Sequence, residues 1–77
     1  MTRAYVLLKV RPGKNKEVVT EVLQVKGVKQ AHACWGIPDV FTYVEISDER
    51  ALSQLILGEI QRIDGVLASE THIVAET

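Results

Sequence analysis

Within four residues, Gly36-Ile37-Pro38-Asp39 combines a backbone without a Cβ, a ring that presets φ and a single carboxylate. Such a turn offers N–H donors at its tip and a carboxylate acceptor at its end. That mixture complements a zwitterionic amino acid, whose ammonium needs acceptors and whose carboxylate needs donors. Gly, Pro and Asp are also what an ordinary hairpin turn uses, so the four residues alone leave both readings open. Ser69 and Thr71 stand two apart in a strand-like segment, so their hydroxyls share a side and can add donors; as β-favoured polar residues they are equally compatible with a plain strand.

His32, Cys34 and His72 are the residue types that bind metals or act as nucleophiles. Cys34 with His32 as its base requires the two side chains to meet. Residues i and i+2 of a strand are separated by roughly 6.6 Å of rise, and no third group orients the pair, so no catalytic residue is assigned. No paired Cys/His spacing suits a structural zinc, and no metal or other cofactor is expected.

The elements that position these groups belong to one domain of 77 residues, short enough that a single core only marginally offsets the chain entropy lost on folding. With one cysteine there is no intrachain disulfide to help, which leaves oligomerisation. Hydrophobic residues at 47%, charged residues at 25% and a formal charge of -1 describe an ordinary globular composition. The nine Lys and Arg are scattered, and Trp35, Phe41, Tyr5 and Tyr43 do not interleave with them as a base-stacking platform requires, so direct DNA binding is not expected. No apolar run approaches the ~20 residues that span a bilayer, and no secretory leader precedes the first strand. A cytoplasmic protein with no membrane partner is the expectation.

In chain order, Ala4 to Val10 reads as a strand stopped by Arg11-Pro12-Gly13, and Lys14 to Lys26 as a helix ended by Gly27. Val28 to Trp35 and Val40 to Ser47 read as two strands joined through Gly36 to Asp39. Ser47 or Asp48 caps a second helix with a stripe of Leu52, Leu55, Ile56, Ile60 and Ile63, and Val66 to Val74 is the last strand. Gly58 interrupts that helix, where close packing against a neighbour is one reason to keep a glycine. An internal repeat lays Tyr5-Val6 on Tyr43-Val44, Val18-Val19 on Ile56-Leu57 and Val25-Lys26-Gly27-Val28 on Ile63-Asp64-Gly65-Val66.

Two βαβ halves with right-handed crossovers predict an α+β, ferredoxin-like βαββαβ sandwich, with an antiparallel sheet of order 4-1-3-2 and two helices on one face. Strand four then lies two strands from strand three, roughly 10 Å away, so Ser69 and Thr71 complete a site at Asp39 only from another subunit. His32 and His72 fall on opposite edges. Tyr5, Leu7, Phe41 and Tyr43 make the second sheet face apolar as well, and covering it calls for at least a dimer.

Val10-Arg11-Pro12-Gly13, Val25-Lys26-Gly27-Val28, the Gly36-Ile37-Pro38-Asp39 hairpin, Ile63-Asp64-Gly65-Val66 and Ser69-Glu70-Thr71, in this order, resemble the effector-binding (RAM) domain of the Lrp/AsnC regulators over almost the whole chain. The resemblance implies an amino-acid effector site at a contact between dimers, with Gly36, Ile37, Pro38 and Asp39 from one subunit and Ser69 and Thr71 from a neighbour. It implies dimers packed by sheet faces and assembled into octameric or decameric rings, with a full-length Lrp/AsnC regulator as a further partner. The chain resembles the stand-alone form of the family, without a helix-turn-helix, and Pro38 replaces a residue that is frequently aromatic or bulky. The function expected is a non-enzymatic module of transcriptional or metabolic regulation that senses an amino acid or related metabolite. The rival is a small dimeric α/β-barrel enzyme of the monooxygenase or isomerase kind, which also pairs ferredoxin-like sheets but needs acid-base side chains in its cavity.

Overall fold

Alternation along the first strand decides how the layers stack: Ala4, Val6, Leu8 and Val10 are buried, whereas Arg3, Tyr5 and Lys9 are exposed. In the computed structural model, which describes residues 1–75, the elements are β1 (Thr2–Val10), α1 (Asn15–Val22), β2 (Val28–Ala33), β3 (Val40–Ile46), α2 (Glu49–Gly58), a 3-10 turn (Ile60–Arg62) and β4 (Val66–Ile73). The four strands form one antiparallel sheet in the order β2-β3-β1-β4, the 4-1-3-2 arrangement expected. Val18 and Val22 of α1 and Leu52 and Leu55 of α2 join Val6, Leu8, Val40 and Val44 in one buried cluster. Both helices therefore cover the same face. Thr42 is buried in this layer and its Oγ1 has no hydrogen-bond partner among the described residues; nothing in the fold explains a threonine there rather than a valine.

The sequence repeat appears as a pseudo-two-fold axis through the sheet. Tyr5 and Tyr43, equivalent in the repeat, face each other in the β1–β3 register with ring centroids 5.2 Å apart and planes tilted by 48°. Gly27 and Gly65, also equivalent, both have φ of +102°. At each joint the N–H after the glycine donates to the carbonyl three residues back, Val28 to Val25 and Val66 to Ile63, both at 3.1 Å.

Both helices are shorter than the apolar spacing suggests. The first ends at Val22 rather than Lys26, and Gln24 and Val25 donate to Glu21 and Val22 at 3.0 and 3.1 Å, a tightened last turn. The second stops at Gly58, after which the 3-10 turn buries Ile60 completely. Tightening turns the next apolar side chain toward the core sooner than α-helical winding would. Leu23, just before the tightened turn, is exposed. Asp48 rather than Ser47 caps α2, its Oδ1 accepting from the Ala51 N–H at 2.8 Å. Strand two ends at Ala33, two residues before Trp35.

Gly58 is not held by packing, because a Cβ built there meets nothing within 4 Å, and its φ is not positive. Gly58→Ala should therefore stabilise the domain by about 0.5–1 kcal/mol through the lower entropy of the unfolded chain. A rise in thermal midpoint of roughly 2–8 °C is the expected reading, and a fall would show a constraint at the helix end that the geometry does not reveal.

Candidate functional site: the β2–β3 hairpin

Three hydrogen bonds fix Asp39 at the base of the hairpin. Its carbonyl accepts from the Cys34 N–H at 2.6 Å, its N–H donates to the Leu8 carbonyl at 2.9 Å, and its Oδ1 accepts from the Val10 N–H at 3.0 Å. The side chain thus serves as the acceptor that the backbone ladder lacks at this point. Above this base Gly36 adopts φ of +117°, a region open to glycine and costly for other residues, and the Ile37-Pro38 peptide is cis. Trp35 is fully exposed and Ile37 is 77% exposed. Among the described residues, the N–H groups of Trp35, Gly36 and Ile37 have no hydrogen-bond partner. The tip therefore presents donors and its base a half-buried carboxylate with Oδ2 uncommitted.

Ser69 and Thr71 are not at this tip. They lie opposite Leu8 and Val6 in the β1–β4 register, which puts both on the helix-covered side of an edge strand. Alternation could not say which face they take; the register decides it. Ser69 Oγ accepts from Gln61 Nε2 at 2.8 Å, a partner that sequence spacing did not suggest because the 3-10 turn brings it over the strand. Thr71 is exposed and lines a groove of about 340 Å3 with Leu57, Ile73 and Ser53. A groove of about 440 Å3 between α1 and β2, with Asn15, Val19 and Ala33 at the equivalent repeat positions, is its counterpart. Within one protomer β1 separates β4 from β3, so the structure does not join Ser69 and Thr71 to Asp39.

The open face of the sheet carries Tyr5, Leu7, Phe41 and Tyr43 across its centre. Gln30 and His32 from β2 flank one side, Glu70 and His72 from β4 the other, with Glu70 and His72 in contact. His32 and His72 are three strand spacings apart, roughly 14 Å. Tyr43 donates its O–H to Glu45 Oε2 at 3.0 Å. Desolvation first, and then the Glu45 carboxylate, hold this phenol above its ordinary pKa, against a smaller opposing pull from Arg3. Near the α1 start, Arg11 and Lys14 meet Asp64 at 3.4 and 3.5 Å, and Lys14 meets Glu17 at 3.0 Å. Glu17 first and Asp64 second raise the Lys14 pKa, but these solvated pairs contribute little to stability. No helix of the described residues is long and apolar enough to cross a membrane.

Comparison with known proteins agrees with this fold. The family model described as the Lrp/AsnC ligand binding domain matches residues 3–77. An uncharacterised HTH-type transcriptional regulator of Pyrococcus horikoshii is 31% identical over 71 residues, 92% of this chain but 45% of the regulator. The chain thus spans about half the length of the curated relatives it matches. The crystal structure of FFRP-DM1 superposes with a TM-score of 0.91 at 28% identity, covering 97% of this chain and 100% of that one. A Neisseria meningitidis transcriptional regulator solved as a complex with L-Met shares the fold, with a TM-score of 0.84 at 19% identity over 97% of this chain and 50% of that one. With the order of strands, the repeated Gly27 and Gly65 joints and the hairpin in place, the chain belongs to the Lrp/AsnC ligand-binding domain family.

Proposed function

We propose that the domain is a non-enzymatic effector-binding module that takes an amino acid or a related metabolite at the β2–β3 hairpin and serves a transcriptional or metabolic regulator. The observation that carries this reading is the pairing, at one turn, of unpaired N–H donors at Trp35, Gly36 and Ile37 with the fixed Asp39 carboxylate. An ammonium group fits the carboxylate and a carboxylate fits the donors. The Neisseria regulator complexed with L-Met supports the ligand class. Gly36, Ile37, Pro38 and Asp39 form one half of the site, and Ser69 and Thr71 of a neighbouring copy supply the other, because β4 is an edge strand and Thr71 is open to an approaching chain.

The assembly follows from the open sheet face, where Tyr5 and Phe41 remain 49% and 41% exposed and are covered by a second copy. Dimers then meet through their hairpins in a ring. A monomer in light scattering at micromolar concentration would remove this part. The rival enzyme reading lacks support on the helix-covered face, where Thr42 is the polar residue among otherwise aliphatic side chains and no acid-base pair lies among the buried described residues.

Isothermal titration of the oligomer against the twenty amino acids tests the proposal. At least one should bind, and Asp39→Ala should weaken it by at least about tenfold, the value of one charge-assisted hydrogen bond. Silence across the panel, with no ligand moving the melting temperature, would leave a purely structural assembly domain.

A further inference from the structure

Lys9 stands on β1 directly across from the base of the hairpin. Asp39 donates its N–H to the carbonyl of Leu8 and accepts through Oδ1 from the N–H of Val10, so its two bonds to β1 bracket Lys9. Neighbouring strands held this way place Asp39 and Lys9 roughly 5 Å apart. The Lys9 side chain leaves β1 on the side opposite buried Leu8, is exposed, and has no ion-pair or hydrogen-bond partner among the described residues. Its neighbour on β4 is Ala68, too small to occupy the space beside it. In contrast, Arg11 and Lys14, the other cations at this end of β1, are engaged with Asp64.

The chain thus sets Lys9, exposed and unpaired among the described residues, across from a residue whose carboxylate has Oδ1 engaged and Oδ2 uncommitted. We infer that Lys9 is a ligand-binding and specificity-determining residue of the hairpin site: it takes the carboxylate of an α-amino acid whose ammonium rests on Asp39 Oδ2. This assignment rests on the amino-acid reading of the hairpin. It adds to it a reason for selecting a free α-carboxylate, because two opposite charges carried by adjacent strands match two opposite charges carried on one carbon of the ligand. The flexible four-carbon stem lets the ammonium settle on that carboxylate, and the backbone donors at the tip share the load. An amine or ester without the carboxylate charge still meets Asp39 but leaves the lysine solvated.

The test uses the oligomer and the tightest-binding amino acid of the panel, together with the methyl ester of the same amino acid, which keeps the ammonium and loses the carboxylate charge. Trp35, the single tryptophan, lies on the hairpin and reports binding by fluorescence, with calorimetry as the second readout. The wild type is expected to prefer the free acid by at least about tenfold. Lys9→Met, which retains the aliphatic stem, should lose most of that preference and keep only the part that the backbone donors supply. Lys9→Arg should restore part of the preference, and the melting temperature of both variants should match the wild type because Lys9 is exposed and unpaired. If Lys9→Met keeps the full wild-type preference while the wild type binds amino acids, the assignment is wrong and the amino-acid reading stands. If the wild type binds no amino acid at all, the reading fails and takes the assignment with it.

Discussion

Leu8→Ala should lower the unfolding free energy by about 3 kcal/mol, within the range of roughly 2–5 kcal/mol seen for such truncations in cores that cannot collapse around the loss. Leu8 is fully buried on a central strand, with Val40 on one side, Ser69 on the other and the helices above. A core of this size supplies only about 3–5 kcal/mol, so the loss takes most of the stability of an isolated protomer. In urea titration followed by far-ultraviolet circular dichroism, the midpoint should fall by more than about 1 M with the slope unchanged. In the proposed dimer, folding and assembly are linked, so the midpoints of wild type and variant should both rise with protein concentration, and their failure to do so would argue that protomers fold without their partners. The bond from Leu8 to Asp39 uses the backbone carbonyl, so the folded fraction should bind ligand as the wild type does.

Gly65→Ala is the second large effect, because two costs coincide there. Its φ of +102° is unfavourable for any residue with a Cβ, and the added Cβ would lie 2.9 Å from Lys14 Cβ and 3.2 Å from Val18 Cγ2. The obstructing atoms lie at the root of the side chain on α1, so they yield only if the helix moves. A loss of about 2–3 kcal/mol is expected. Gly13→Ala separates the two costs: its φ is +85°, but nothing lies within 4 Å of the new Cβ, so about 1 kcal/mol is expected from the backbone alone. Equal losses at the two positions would show that α1 shifts freely and that the close approach carries no weight.

The repeat was legible because the same local physics operates twice. Apolar spacing places Val18 and Val22 against the sheet as it places Ile56 and Ile60, and a glycine with positive φ stands at each joint into the following strand. Helix ends were less legible, since the switch from α to 3-10 winding depends on how far Val25 and Ile60 must turn to reach the core. The hairpin was visible as a turn, but the role of Asp39 was not. A sequence shows a carboxylate; it does not show that Oδ1 faces the Val10 N–H while Oδ2 stays uncommitted. Gln61 was overlooked for the same reason, as its partner Ser69 is brought to it by the turn between α2 and β4.

Sequence by itself determined the order of elements, the duplication, the two-sided apolar sheet and the residue types of the hairpin. These follow from periodicity and local backbone preference, which act between near neighbours along the chain. Tertiary structure alone decided that Ser69 and Thr71 point to the helix-covered side of the sheet, that Tyr5 meets Tyr43 on the pseudo-two-fold axis, and that Asp39 brackets Lys9. Those are matters of strand register. Because side chains alternate with a period of two, a shift of one residue in pairing would move every one of them to the other face, and the register is set by the whole core rather than by any single segment.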